Sequence, residues 1–249
     1  MNLLAGTATP GLLGNVKRCA MWTACLALPI AVACYAASLL SPRGSAIFQE
    51  GEIVEDISVG VWAAGMLAGL WGSLRARNCA QRLVLAWLAG IALLAGLREI
   101  DLHTALNPDT LGEYGVRYKL SWWLSGATPL WLKAGWAGLF LAVAFGLAYP
   151  PLRARGTLLR LLREGDVRLL LLCMASVFLA LGFAVDDLLR GSAAVKFETR
   201  QFLEETSELI GAVIYVLAVL ELARRPLHPT ATVEDEQPAG NEANPPASR

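Results

Sequence analysis

Three carboxylates stand at the edge of an apolar run: Glu204, Glu205 and Glu208 lead into Leu209–Leu220, 12 residues without a charge. As a helix, that run rises about 18 Å at 1.5 Å per residue, too little for a hydrocarbon core of about 30 Å. A spanning helix must therefore take in residues 202–208 and carry its acids inside the end of the span. A step of about 100° per residue confines the three to an arc of about 100°. Gly211 and Tyr215 continue the same face inward. Carboxylates at that depth are costly unless they face protein, water or a cation.

A second group is Arg98-Glu99-Ile100-Asp101-Leu102-His103. Glu99 and His103, at i and i+4, share one helix face, while Arg98 and Asp101, at i and i+3, share another. The second pair reads as an internal salt bridge, which leaves the first to bind. Imidazole and carboxylate together suit zinc, manganese or iron. Glu52, Glu55 and Asp56 form a third group, with Trp62 two turns further on.

These residues predict a divalent metal ion held by Glu99, His103, Glu204 and Glu208. Glu55 or Asp56 would be a further ligand or the general base for a metal-activated water. The reaction so served would be metal-dependent chemistry on a lipid or envelope precursor at the outer leaflet. A cation- or proton-coupled transporter would use the same acids as a vestibule, but such proteins place polar residues or broken helices near the midplane, and here the inner halves of the spans are apolar. The non-catalytic alternative is a scaffold or accessory subunit whose acids pair with Arg98, Arg190, Lys196 or Arg200. Asp186 and Asp187 read as local partners of Arg190.

The elements that must position these groups follow from composition. Of 249 residues, 55% are hydrophobic and 17% charged, against about a quarter charged in soluble domains. Six segments are long and apolar enough to span, at about 19–40, 54–74, 82–104, 129–149, 168–189 and 202–223, and none alternates with the period of two of a membrane barrel. The expected fold is all-α, a six-span helical bundle over residues 1–225, with 226–249 a disordered cytoplasmic tail rich in proline and acid. The first segment exceeds the apolar core of a signal peptide, about 7–15 residues, and reads as a retained anchor.

Orientation follows from the basic residues, which accumulate in cytoplasmic loops. Lys17, Arg18, Arg75, Arg77, Arg82, Arg153, Arg155, Arg160, Arg163, Arg168, Arg224 and Arg225 fall on one side. Both chain ends are therefore placed in the cytoplasm, and most acids at the outer ends of the spans. Trp122, Trp123 and Trp131 mark an outer aromatic belt, and the stretch 105–128 would lie along the surface as a cap.

Net charge is zero, so no global field would attract nucleic acid. Five cysteines, without CxxC spacing, read as small core residues. There is no GxxxxGK[ST] loop, no HExxH and no GxSxG, and with His103 the lone histidine of the membrane region, any metal would have mostly oxygen ligands. The segments EDISVG, REIDLH and EETSEL resemble acidic helix-end motifs of uncharacterised bacterial polytopic membrane proteins. That resemblance implies a multi-pass protein of the bacterial inner membrane and brings no activity with it.

Overall fold

The computed structural model describes residues 12–41, 47–48, 53–100, 123–124, 126, 129–189 and 196–225. Seven α-helices organise them: α1 Leu12–Leu40, α2 Ile53–Arg75, α3 Cys79–Glu99, α4 Leu130–Arg153, α5 Arg155–Glu164, α6 Val167–Leu189 and α7 Phe197–Arg224. All but α5 contain a stretch long and apolar enough to cross a bilayer. The protein is an all-α polytopic membrane bundle, as its composition requires. The expected tail and most of the stretch 105–128 lie outside the described residues.

Besides α7, two spans run well beyond the bounds expected from their apolar runs. α1 begins at Leu12 rather than near residue 19 and passes through Pro29. α4 runs on through Pro150 and Pro151 to Arg153. A proline removes one backbone donor from the helix ladder, and Pro151 thereby leaves the carbonyl of Leu147 without its usual acceptor role. The Trp87 indole on α3 donates to that carbonyl at 3.1 Å. The bond both satisfies the proline-orphaned oxygen and ties α4 to the bundle.

The core is built around α7, where most positions from Thr206 to Leu222 are buried. α2 and α6 pack along it, α3 packs on α2, and α1 touches α6 and α7. Close approach of α2 requires glycine. A Cβ at Gly69 would stand 2.9 Å from the Ala89 Cβ, and one at Gly72 would stand 2.6 Å from the Ala223 Cβ. The small-xxx-small spacing of Gly65 and Gly69 thus serves as a packing face. In contrast, α4 buries Pro150 alone.

The end of the bundle that carries the arginines is closed by caps. Gln81 Nε2 donates to the carbonyls of Leu222 and Arg225 at 2.9 and 3.3 Å, and Arg168 Nη1 donates to that of Arg225 at 3.0 Å. Those carbonyls belong to the carboxyl end of α7, where the helix has no donors of its own to offer. Asp166 caps α6 by accepting from the Arg168 backbone N–H at 2.9 Å. Burial would push the Asp166 carboxyl up, but the Arg168 guanidinium, 2.6 Å away, and the backbone donors outweigh it and hold the group below its ordinary value.

Cys19 and Cys34 are buried, as core cysteines should be, but Cys25, Cys79 and Cys173 face outward from the bundle. The core expectation therefore fails for three of the five. Cys79 lines a cavity at the start of α3, and an exposed position on a spanning helix can meet lipid, which accepts a small apolar thiol as a protein interior does.

Candidate functional site

α7 is one unbroken helix from Phe197 to Arg224, so Glu204, Glu205 and Glu208 ride on a wall of the bundle. The helix face inferred from spacing is the one turned inward: Glu208, Gly211 and Tyr215 are all buried. Glu208 keeps 3% of its surface exposed. Room for it comes from α6, where a Cβ on Gly182 would lie 2.8 Å from Glu208 Cγ and 3.2 Å from the Glu204 carbonyl oxygen.

Glu208 Oε1 accepts a hydrogen bond from Arg98 Nη2 at 2.7 Å. The pair is lopsided: the Arg98 side chain is 58% exposed and that of Glu208 4%. The cation stands at the mouth and the anion at depth. Arg98 thus finds a partner on α7, 110 residues along the chain, the inter-helix pairing that the scaffold alternative named, where the local reading suggested Asp101. Asp101 itself lies outside the described residues.

Around this pair the carboxylates gather. The charged groups acting on Glu99, at the end of α3, are Glu208, Arg98 and Glu55. Foremost among those acting on Glu205 are Glu208, Glu99, Glu204 and Glu55, every one a carboxylate. Five glutamates from α2, α3 and α7 therefore share one electrostatic neighbourhood. Repulsion among such groups is relieved by a bound cation or a shared proton.

Below the acids the bundle is closed by aromatics. The rings of Trp62 and Tyr215 meet at 5.2 Å, and the Tyr215 hydroxyl donates to the Leu88 carbonyl at 2.6 Å. Trp62 is 2% exposed. Its indole N–H is directed at the Glu99 carboxyl, at the margin of hydrogen-bond geometry. The Ser58 hydroxyl, one turn from both Glu55 and Trp62, is buried without a hydrogen-bond partner. Buried donors of this kind are uncommon and call for a ligand or water.

Of the residues singled out by sequence, Glu55, Glu99, Glu204 and Glu208 are brought together. Asp56 is exposed on α2 and is not among the groups acting on Glu99 or Glu205. His103 lies outside the described residues, as do Glu52 and Arg190 and the side chains of Asp186 and Asp187. Among the described residues no three His, Cys, Asp or Glu side chains stand close enough together to hold a metal ion. Two participants are new. Glu205 sits amid the other acids, although only Glu204 and Glu208 were expected to bind; its place in their 100° arc was the available signal. Trp62, seven residues beyond Glu55 and so on the same face, supplies a donor.

No protein-family model, no curated protein and no solved structure matches the chain.

Proposed function

We propose that this membrane protein carries a cation-binding centre at the acidic end of its bundle, formed by Glu55, Glu99, Glu204 and Glu205 beside the Arg98–Glu208 pair. The observation that carries the reading is the environment of Glu205, where the foremost neighbouring charges are the carboxylates of Glu208, Glu99, Glu204 and Glu55. The buried indole N–H of Trp62, directed at Glu99, adds a donor that would orient that carboxylate or an oxygen bound beside it. In its sharper form, a divalent metal recruits His103 and two or three of these glutamates and activates a water for attack on a lipid or envelope precursor. The carboxylates would have to draw in around the ion, since Glu208 is engaged by Arg98.

Binding of Mn²⁺ or Zn²⁺ alone to the detergent-purified protein tests this directly. The expected result is one equivalent bound, with affinity weakened at least tenfold in Glu205→Gln and in Glu99→Gln. Absence of binding, or equal binding by both variants, overturns it. His103→Ala then separates the sharper form, which requires weakened binding there too.

The Arg98–Glu208 bond favours a second reading, a scaffold or accessory subunit in which the acids only join helices. Under it, Glu205→Gln leaves both cation binding and cellular phenotype unchanged, while Arg98→Gln disturbs assembly. A transport route finds less support, because Trp62, Tyr215 and the Leu88 carbonyl close the bundle directly beneath the acids.

A further inference from the structure

A cavity of about 420 Å³ lies at the opposite, basic end of the bundle, between α3, the end of α4, α5, the start of α6 and the end of α7. Its volume falls within the range of small-molecule sites, about 300–1,000 Å³. The walls are mainly aliphatic, with Leu83, Val84, Leu158, Leu161 and Leu172 among them. Its polar groups are Tyr149, Arg153, Thr157, Asp166 and Arg168.

Those polar groups differ in how far their bonding is already spent. Arg168 is held by Asp166 and by the Arg225 carbonyl, so its charge serves the cap. Arg153 is exposed and bonds through Nη1 to the Tyr149 hydroxyl at 2.8 Å, a neutral partner that leaves its charge uncompensated among the described residues. A guanidinium beside a phenol hydroxyl is a donor pair suited to a phosphate.

α5 extends the same chemistry. It is a ten-residue helix, RGTLLRLLRE, whose Leu158 and Leu161 face the cavity while Arg155 and Arg163 are exposed. A short helix, apolar on one face and basic on the other, between two spans is built to lie in the headgroup plane. Basic groups there attract anionic lipids. It ends at Gly165, whose φ of 67° closes the cap, so the chain turns directly into α6 and keeps α5 over the cavity. An aliphatic chamber with a phosphate-binding pair at its rim and a basic helix alongside matches one ligand in two parts, an acyl chain and an anionic head.

We propose that this cavity holds one acyl chain of an anionic phospholipid from the leaflet at the basic end, its phosphate bound by Arg153 and Tyr149. The site is separate from the acidic centre and stands whether or not that centre binds a cation. Two substitutions probe its two parts. Arg153→Gln removes the charge at an exposed position. Ala80→Trp fills the chamber from an exposed position in the first turn of α3, whose backbone N–H keeps its bond to Asn78 Oδ1.

The experiment is native mass spectrometry of the full chain, delipidated in detergent and then offered phosphatidylglycerol or phosphatidylcholine. The expected result is one retained phosphatidylglycerol, held at least tenfold more tightly than phosphatidylcholine. Arg153→Gln abolishes that preference, and Ala80→Trp reduces retention of both lipids with the fold intact by circular dichroism. Equal retention of the two lipids by the native chain, or no effect of either substitution, marks ordinary boundary lipid and overturns the proposal. Displacement of the lipid by millimolar inorganic phosphate alone also overturns it, because a simple anion site has no use for the chamber.

Discussion

The two ends of the bundle use charge in opposite ways. At the basic end several charged and amide groups complete the backbone at helix ends or pair within a turn. Gln81 and Arg168 serve the carbonyls that end α7, Asp166 serves the N–H groups that start α6, and Glu221 meets Arg224 and Arg225 within a turn. At the acidic end the charges sit on helix walls and act on one another, with Arg98–Glu208 as a direct bond. Helix termini exist in any bundle, so capping them needs no further explanation. Clustering carboxylates on the walls of three helices raises the energy of the fold unless something else is bound. The contrast separates an end where side chains complete helix termini from an end where carboxylates of three helices share one neighbourhood.

The largest effect that would sharpen this contrast is expected from Arg98→Ala, which strands the Glu208 carboxylate in the core. Breaking a fully buried pair costs about 3–5 kcal/mol; with Arg98 more than half exposed, and so screened by solvent, about 2 kcal/mol is expected. Unfolding of the purified protein in mixed micelles measures it, and Arg98→Ala with Glu208→Leu should recover most of the loss. No recovery would mean that the two residues act independently. Gln81→Ala removes the side chain that spans two carbonyls at the other end and should cost about 1–2 kcal/mol, the usual penalty for an unmet buried acceptor. A neutral result would show that the end of α7 finds water instead.

Asp166→Ala should cost about 1 kcal/mol as a lost helix cap, and its pH dependence has a definite sign. The folded carboxyl titrates below its ordinary value, so the contribution is fully present above the ordinary aspartate pKa, about 3.9. It is lost as pH falls through the lower, folded value. The difference in stability between the native chain and Asp166→Ala should therefore shrink only in that acid window. The smallest effect is expected from Glu221→Gln, whose partners are exposed arginines at 3.4 and 3.7 Å; under about 0.5 kcal/mol is the expectation. A large loss there would show that the basic end also depends on its surface pairs.

Much of this was open to reading along the chain, for a physical reason. Spans announce themselves through length and hydropathy, and the short apolar run of α7 compelled its acids into the helix. The inward face through Glu208, Gly211 and Tyr215 followed from helical periodicity alone. What stayed hidden depended on distance in sequence. Nothing local marks Arg98 as the partner of Glu208 over Asp101, because an i, i+3 neighbour and a residue on another helix are equally good acceptors until the helices are docked. α5 was hidden for a different reason: RGTLLRLLRE contributed its arginines to orientation, and that use concealed the leucines at helical spacing between them. The cavity beside it is lined by five helices, so no single stretch could have suggested it.

The Trp87–Leu147 bond carries one more consequence. A span with a single buried residue behaves as a hinged leaf, while α7, enclosed along most of its length, behaves as the post. Cohesion in this protein is therefore graded across its width, and the ladder of local openings should start with α4 and end with α7. Because the tether grips a carbonyl that Pro151 leaves without its helical donor, the proline that interrupts the helix also fixes where the leaf is hung.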